Sequence, residues 1–276
     1  MIQKFFKEIY KKMNKTISQK INSLPKFDDE IVEILEAFDK FDDEKICQKI
    51  SSYKNFNEKI LKIANNKFIK ENFTNLKEAF EFYGKDEIKA FFLFCIFCEI
   101  LPTGLKSYKI SSEHFIEISL MRNLIMSKWI KSYPNAPKII LSIIILMEFG
   151  RIFIDESLQK QKKEHEFLSL VKTCVYPQDF TDVEQEFTSA DRESIISRIF
   201  LHFGLDDMAR LARFSSLIDD ADFDIKIPCA MIKVVKTVVN IYHRVDETSI
   251  DHTLNLLVEF GFEQEAFLNS VKKIAQ

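Results

Sequence analysis

The chain has 276 residues, enough for one large domain or two small ones with a sizeable core. It contains 5 Gly and 6 Pro but 27 Phe, a balance that indicates an all-α protein whose core is filled by Phe, Leu and Ile. Lys and Arg number 39 against 42 Asp and Glu, which gives a net charge of −3. Because nucleic-acid-binding domains are usually basic, nucleic acid is not expected as a partner.

The five cysteines stand scattered in apolar surroundings, so they are not expected to form a disulfide framework. Cys95 and Cys98 form a C-x-x-C pattern inside the run Phe-Phe-Leu-Phe-Cys-Ile-Phe-Cys. A redox motif requires a lowered thiol pKa, usually at an exposed helix N-terminus, so buried and inert thiols are predicted instead. The first residues lack a signal-peptide pattern, and a cytoplasmic location is therefore expected.

Residues 1–22 are predicted to form a basic amphipathic helix that precedes the main domain. Its apolar stripe consists of Phe5, Phe6, Ile9, Tyr10, Met13, Ile17 and Ile21. Lysines occupy much of the remaining surface. Such a stripe packs on the rest of the protein, enters a groove of a partner, or lies on an anionic membrane. Packing is the simplest interpretation, and contact with a membrane surface is not favoured.

A series of short helices follows in the next part of the chain. The periodicity predicts helices that begin near Asp28 and that cover residues 42–52, 55–65, 75–83 and 86–100. Asn75, with Glu78 three residues later, has the spacing of a capping box.

Three motifs in this part of the chain together carry a resemblance. They are Leu24-Pro25, residues 60–65 (Ile-Leu-Lys-Ile-Ala-Asn) and residues 76–84, which begin Leu-Lys-Glu-Ala-Phe and end Tyr-Gly. At these separations they resemble the signature of the HDOD domain, a bacterial signalling family related to the HD phosphohydrolases but lacking their activity. The resemblance implies an all-α, multi-helical HDOD/HD-like domain over residues 23–276. Its N-terminal lobe would cover about residues 23–106, and a degenerate HD-like lobe about residues 107–276.

The second lobe is predicted to be organised around Ile139–Ile154. The apolar residues of this run occupy all sides of a helix, so one continuous, fully buried helix is expected. Further helices are predicted over residues 111–132, 191–202, 208–217, 228–242, 249–260 and 263–274. Thr181 and Glu184 have capping-box spacing and predict the start of a short helix.

The resemblance also indicates where metal ligands of an HD phosphohydrolase would lie. Residues 145–151 (Ile-Leu-Met-Glu-Phe-Gly-Arg) are similar to the family pattern Leu-Leu-His-Asp-Ile-Gly-Lys, which puts Met147 at the His and Glu148 at the Asp. Ile118 and Arg192 stand at further histidine positions. A thioether is a poor ligand for hard divalent metals, so no metal, cofactor or catalytic residue is predicted.

The charges at these positions leave two interpretations open. Glu148 and Arg151 are spaced i, i+3 and can pair on one helix, and Arg122 or Arg192 can also pair with Glu148. Because a buried charge must be paired, a structural ion pair is the first interpretation. The second is a small polar pocket for an anionic ligand such as a nucleotide.

These features predict a non-enzymatic bacterial signal-transduction protein that acts by binding other signalling proteins of unknown identity. The alternative is a nucleotide sensor that uses the remnant HD pocket around Glu148, Arg151 and Arg192. The remnant HD-site positions are Ile118, Met147, Glu148, Arg151 and Arg192. Residual metal-dependent phosphohydrolase activity is a third hypothesis.

Overall fold

The computed structural model describes residues 15–242 and 245–275, and these residues form an all-α fold. The first helices are α1 (Lys15–Asn22), α2 (Asp29–Lys40), α3 (Asp43–Ser52), α4 (Phe56–Ala64), α5 (Leu76–Tyr83), α6 (Lys85–Ile100), α7 (Ser112–Trp129) and α8 (Ile140–Leu146). Those that follow are α9 (Phe149–Gln161), α10 (Glu164–Val171), α11 (Pro177–Thr188), α12 (Arg192–His202), α13 (Asp206–Phe214), α14 (Phe223–Val238), α15 (Glu247–Glu259) and α16 (Gln264–Ala275). One antiparallel bridge pairs Leu105 with Ile110.

Side-chain caps explain where the early helices begin. The Asp28 carboxylate accepts a hydrogen bond from the Ile31 N–H at 2.9 Å and thereby caps α2. Asn75 caps α5 in the same way, since its side-chain oxygen accepts from the Glu78 N–H at 3.1 Å. The predicted helices of this region are confirmed with shifts of one or two residues at their ends.

Helix α1 is docked on the rest of the protein. It packs against α9 and α12, and its residues Ile17 and Ile21 are buried. Lys20 forms an ion pair with Glu156 of α9. The packing interpretation of the amphipathic stripe therefore holds for Lys15–Asn22, whereas residues 1–14 of the predicted helix lie outside the described residues.

The prediction of one continuous helix over Ile139–Ile154 is wrong, because α8 ends at Leu146 and α9 begins at Phe149. At the junction the Arg151 N–H donates to the Glu148 carbonyl at 2.9 Å, an i, i+3 bond typical of a tighter turn. Both helices are buried, as predicted. Apolar periodicity could not reveal the break, since side chains on every side of the run are buried.

The predicted capping box of Thr181 and Glu184 is also wrong. Helix α11 begins earlier, at Pro177, where the Asp179 carboxylate accepts from the Tyr176 N–H at 2.8 Å. Proline is favoured at the first helical position because its missing N–H would have no partner there. Glu184 consequently lies inside the helix, where it is buried.

The hydrophobic core is one continuous cluster that includes residues of both predicted lobes. Phe149 packs edge-to-face against Phe94, Phe97 and Phe115, with ring centroids 5.7, 5.4 and 5.1 Å away. These contacts join α6, α7 and α9 next to the α8–α9 junction. The division into lobes near residues 102–112 stays a prediction. No helix among the described residues combines the length and the apolar character that crossing a bilayer requires.

A buried acid lies in the contact between α6 and α7. Glu87 is 3% exposed, and its carboxylate accepts a hydrogen bond from the Ser127 hydroxyl. Its second oxygen, Oε1, has no hydrogen-bond partner among the described residues. Burial raises the pKa of Glu87 to about 7, and the Ser127 hydrogen bond offsets this only in part.

Replacing Glu87 by Gln is expected to stabilise the protein at pH 8 but not at pH 5. Because the pKa of Glu87 is about 7 when folded and near 4.5 when unfolded, the folded state binds more protons between these pH values. The contribution of Glu87 to the stability of the folded state is therefore fully present below pH 4.5 and is lost as the pH rises to 7. We expect Glu87→Gln to raise the free energy of unfolding by about 2 kcal/mol at pH 8 in urea titrations.

The exposed residue Glu81 provides the control, because Glu81→Gln removes the same charge one helix earlier without burial. An equal gain for Glu87→Gln at pH 5 and pH 8 would show that ionisation of Glu87 is not the cause.

Candidate functional site

Glu148 lies at the α8–α9 junction and is the centre of a buried ion cluster. It is 1% exposed, and guanidinium groups from three helices donate to its carboxylate. Arg151 Nη1 lies 2.6 Å from Oε2, and Arg192 Nη1 lies 2.6 Å from Oε1. Arg122 Nη1 also donates to Oε1. Both oxygens of the carboxylate are therefore occupied by arginines.

Two further carboxylates extend the cluster away from Glu148. Arg151 Nε donates to Glu184 Oε1 at 2.5 Å, and the Tyr108 hydroxyl donates to the same oxygen at 3.0 Å. On the other side, Arg192 Nη2 and Lys236 Nζ each lie 2.6 Å from Glu193 Oε1. We call Arg122, Arg151, Arg192, Lys236, Glu148, Glu184 and Glu193 the ion cluster. It links α7, α9, α11, α12 and α14 to the turn between α8 and α9.

The acids of the ion cluster titrate differently because their neighbours differ. Burial alone would raise the pKa of Glu148, but Arg122, Arg151 and Arg192 outweigh it and hold that pKa below its usual range. Burial raises the pKa of Glu184, and Arg151 offsets this only in part. Near neutral pH, Glu148 is therefore a carboxylate that is fixed in its charged form.

Two of the four bases of the ion cluster, Lys236 and Arg122, are weakened by their removal from water. Burial lowers the pKa of Lys236 to about 8, although Glu193 opposes this change. Burial likewise lowers the pKa of Arg122 to about 10, against the attraction of Glu148. With four basic and three acidic side chains, the cluster carries one excess positive charge when all of them are ionised.

Gly150 allows the close approach of α9 to α12 that brings Arg192 to Glu148. A Cβ atom added at Gly150 would lie 2.5 Å from the Arg192 carbonyl oxygen and 3.2 Å from its Cγ. Because glycine has no Cβ atom, it is the one residue that leaves room for this backbone contact. The sequence motif in which Gly150 follows Glu148 by two residues has a steric reason in this fold.

The side chains of this region do not fit a catalytic metal ion. A guanidinium group has no lone pair to donate, and both oxygens of Glu148 already accept from guanidinium groups. Met147 offers a thioether, and Ile118 is a buried aliphatic residue of α7. Among residues 15–242 and 245–275, no three His, Cys, Asp or Glu side chains come together in a way that could hold a metal.

Of the residues predicted for the site, Glu148, Arg151 and Arg192 come into direct contact. The predicted partner Arg122 also joins them, one helical turn after Ile118. That Ile118, Met147 and Arg192 occupy former ligand positions stays a prediction.

Three acidic or basic members of the ion cluster were not predicted from the sequence. They are Glu184, Glu193 and Lys236. Lys236 was signalled by its position in the apolar run Val-Val-Lys-Thr-Val-Val of α14. Glu184 gave no local signal, since its partners Arg151 and Tyr108 are far away in the sequence, whereas Glu193 is adjacent to its partner Arg192.

A narrow crevice opens beside the ion cluster. It has a volume of about 30 Å³ and is lined by Arg151, Arg192 and Lys236, with Asn240 and His252 among its other residues. A space of this size holds about one water molecule, which is too little to enclose a nucleotide. Only the outermost atoms of an anionic group such as a phosphate could enter it.

The C-x-x-C pattern lies in the buried helix α6. Both thiols are free, and Cys95 is buried while Cys98 is partly buried. Burial raises the pKa of Cys98 to about 12 and that of Cys95 further. Redox motifs require a lowered thiol pKa, so the described geometry favours the prediction of inert thiols.

No protein-family model matches the chain, and no curated protein matches it. Solved structures do match. A candidate phosphohydrolase from Shewanella amazonensis SB2B has a TM-score of 0.72 at 13% identity, with 94% of each chain covered. An HDOD domain protein with unknown function from Geobacter sulfurreducens has a TM-score of 0.63 at 13% identity, with 93% of each chain covered.

A third structure is longer than the region that matches. A candidate signal transduction protein from Marinobacter aquaeolei VT8 has a TM-score of 0.63 at 11% identity. The match covers 92% of this chain and 60% of that chain. At these identities the likeness concerns the fold. The chain has the all-α fold of an HDOD/HD-like domain, as its three sequence motifs predicted.

Proposed function

We propose that the protein is a non-enzymatic regulatory module that acts by binding other signalling proteins. The observation that carries the proposal is Glu148, the carboxylate expected at a metal-ligand position, whose two oxygens both accept from arginines. A metal-dependent phosphohydrolase needs free carboxylate and imidazole lone pairs at that place to hold the ion that activates water. The lone pairs of Glu148 are instead engaged in the ion cluster, which links helices of the fold.

The fold neighbour described as a candidate signal transduction protein supports a signalling role by analogy. A fold alone does not fix function, so the proposal needs a direct test of binding. We expect tagged full-length protein to retain a specific protein from the cytosol of its native organism at physiological salt.

The test uses two forms of the protein, the full chain and a form without residues 1–14. The second form keeps Lys15–Asn22, whose residues Ile17 and Ile21 are buried and needed for packing. Retention by the full chain only would identify residues 1–14 as the contact. If neither form retains a protein when present at its native abundance, even after crosslinking, the proposed function is contradicted.

A second candidate function is the sensing of an anionic ligand, and the excess positive charge beside the crevice favours it. A ligand that binds only the folded state raises the melting temperature. The test is a thermal shift with inorganic phosphate and with nucleotides. His252, at the crevice but outside the ion cluster, is the residue to replace. A shift that His252→Ala reduces is expected, and no shift at millimolar ligand would contradict this function.

A further inference from the structure

A second, larger depression lies between the two predicted lobes and shares no lining residue with the crevice. We call it the interlobe groove. It has a volume of about 700 Å³ and is formed by α2, α6, residues 137–142 and residues 203–208. It is more than twenty times as large as the crevice beside the ion cluster. Its size suits several side chains of a partner rather than a single ion.

The wall of the interlobe groove is apolar and partly exposed. Val32 is 42% exposed, and Leu35 and Leu205 are partly buried. At one end, Phe27 stacks on Phe203 with ring centroids 4.3 Å apart and an angle of 14° between the planes. Exposed apolar side chains gathered in a concave surface are typical of a binding site.

The charged residues of the interlobe groove are predominantly acidic. Five carboxylates and two lysines line it: Glu36, Asp39, Asp86, Asp206, Asp207, Lys89 and Lys138. Lys89 already pairs with Asp39. Asp86, Asp206 and Asp207 form no ion pair with any residue in the described part of the chain. Each belongs to the first turn of a helix, where the helix dipole favours negative charge.

This combination of an apolar wall and an acidic rim selects one class of occupant. Carboxylates repel nucleic acid and anionic lipid surfaces, and they attract lysine and arginine. An amphipathic helix presents apolar anchors at i, i+3, i+4 and i+7 on one face and charged residues beside them. We propose that the interlobe groove binds a cationic amphipathic helix of a partner protein. This inference rests on the proposed function and names the chemistry of the partner.

The first test measures direct binding of a peptide to the full-length protein by fluorescence anisotropy. The probe is a labelled peptide of about 14 residues that forms a cationic amphipathic helix. Its leucines recur at i, i+3, i+4 and i+7, and lysines fill the remaining positions. A peptide with glutamate in place of every lysine is the negative control. We expect saturable binding of the lysine peptide that weakens as salt rises, because the rim charges are exposed.

Two double variants locate the binding site. Asp206→Asn with Asp207→Asn removes two charges from the groove, and Asp219→Asn with Asp220→Asn removes two adjacent exposed acids elsewhere. We expect the groove variant to bind the peptide about fivefold more weakly and the control variant to bind within about twofold of the unchanged protein. Equal thermal melting curves establish that both variants are folded.

The apolar part of the site is tested separately with Val32→Lys, which adds a repelling charge at a position that is already exposed. It is expected to weaken binding of the lysine peptide as well. Absence of saturable binding by the unchanged protein, or equal weakening by the groove and control variants, would overturn the proposal.

The same variants separate this inference from the proposed function. If a protein partner is retained equally by the unchanged protein and by the variant with Asp206→Asn and Asp207→Asn, the module binds elsewhere and the interlobe groove is not its site. If the peptide binds in the groove as expected but no partner is retained from native cytosol, the proposed function fails and the chemistry of the groove stands.

Discussion

Replacing Glu148 by Gln is expected to lower the free energy of unfolding by about 3–5 kcal/mol, because it leaves buried cations without their counter-charge. Three guanidinium groups donate to this carboxylate, and Arg122, Arg151 and Arg192 are each no more than 5% exposed. Gln has nearly the same shape, so the loss comes from charge rather than from a cavity. The free energy of unfolding of a protein is only about 5–15 kcal/mol in total, so the melting temperature of the variant is expected to be much lower.

The matched control is Glu33→Gln, which breaks the exposed pair between Glu33 and Lys49. Exposed ion pairs contribute about 0–1 kcal/mol to stability. The free energy of unfolding of the control variant is therefore expected to be close to that of the unchanged protein. Urea titrations at pH 7 measure both variants. A loss below about 1 kcal/mol for Glu148→Gln would show that Glu148 does not hold the ion cluster together.

The second large effect is expected for Gly150→Ala. Alanine favours a helix by about 1 kcal/mol over glycine, so the substitution would stabilise an open position in α9. Here the added Cβ would lie 2.5 Å from the Arg192 carbonyl oxygen. This contact is too short, and backbone atoms must move to relieve it. We expect the steric effect to prevail and the variant to lose about 2–3 kcal/mol.

Lys160→Ala provides the control for this substitution, since Lys160 is an exposed position of the same helix. It is expected to change the free energy of unfolding by less than about 0.5 kcal/mol. A Gly150→Ala variant that is more stable than the unchanged protein would mean that α9 and α12 do not approach as closely as described.

The two effects are also expected to be coupled. A shift of α12 away from α9 would lengthen the contact between Arg192 and Glu148, so the double variant should lose less than the sum of the single losses. Additive losses would place the two effects in separate parts of the molecule.

The sequence predicted the helical class and most helix boundaries because these depend on local signals. Caps such as Asp28 and Asn75 and the period of apolar residues are read within one helix. The break between Leu146 and Phe149 had no such signal, because uniform burial removes the polar face that marks a helix end. Pro177 did offer a signal for the start of α11, but the capping-box spacing of Thr181 competed with it.

The site was only partly predictable for a related reason. The spacing of Glu148 and Arg151 within one helix indicated a pair, and the resemblance brought Arg192 into the comparison. Glu193 and Lys236 lie 43 positions apart in the chain, and only the packing of α12 on α14 brings them together. Buried ion pairs of this kind are set by tertiary structure, so a single sequence gives their residue types without their partners.

The most direct test of the central claim, that an ion cluster stands where a catalytic metal site would be, is a measurement of bound metal. Full-length protein is incubated with Mn²⁺ or Fe²⁺, desalted and analysed for metal per chain. The arrangement of arginines on Glu148 predicts less than about 0.1 metal ion per chain, because no free ligand set is available. Retention of about one or two ions per chain that Glu148→Gln abolishes, together with phosphohydrolase turnover, would contradict it.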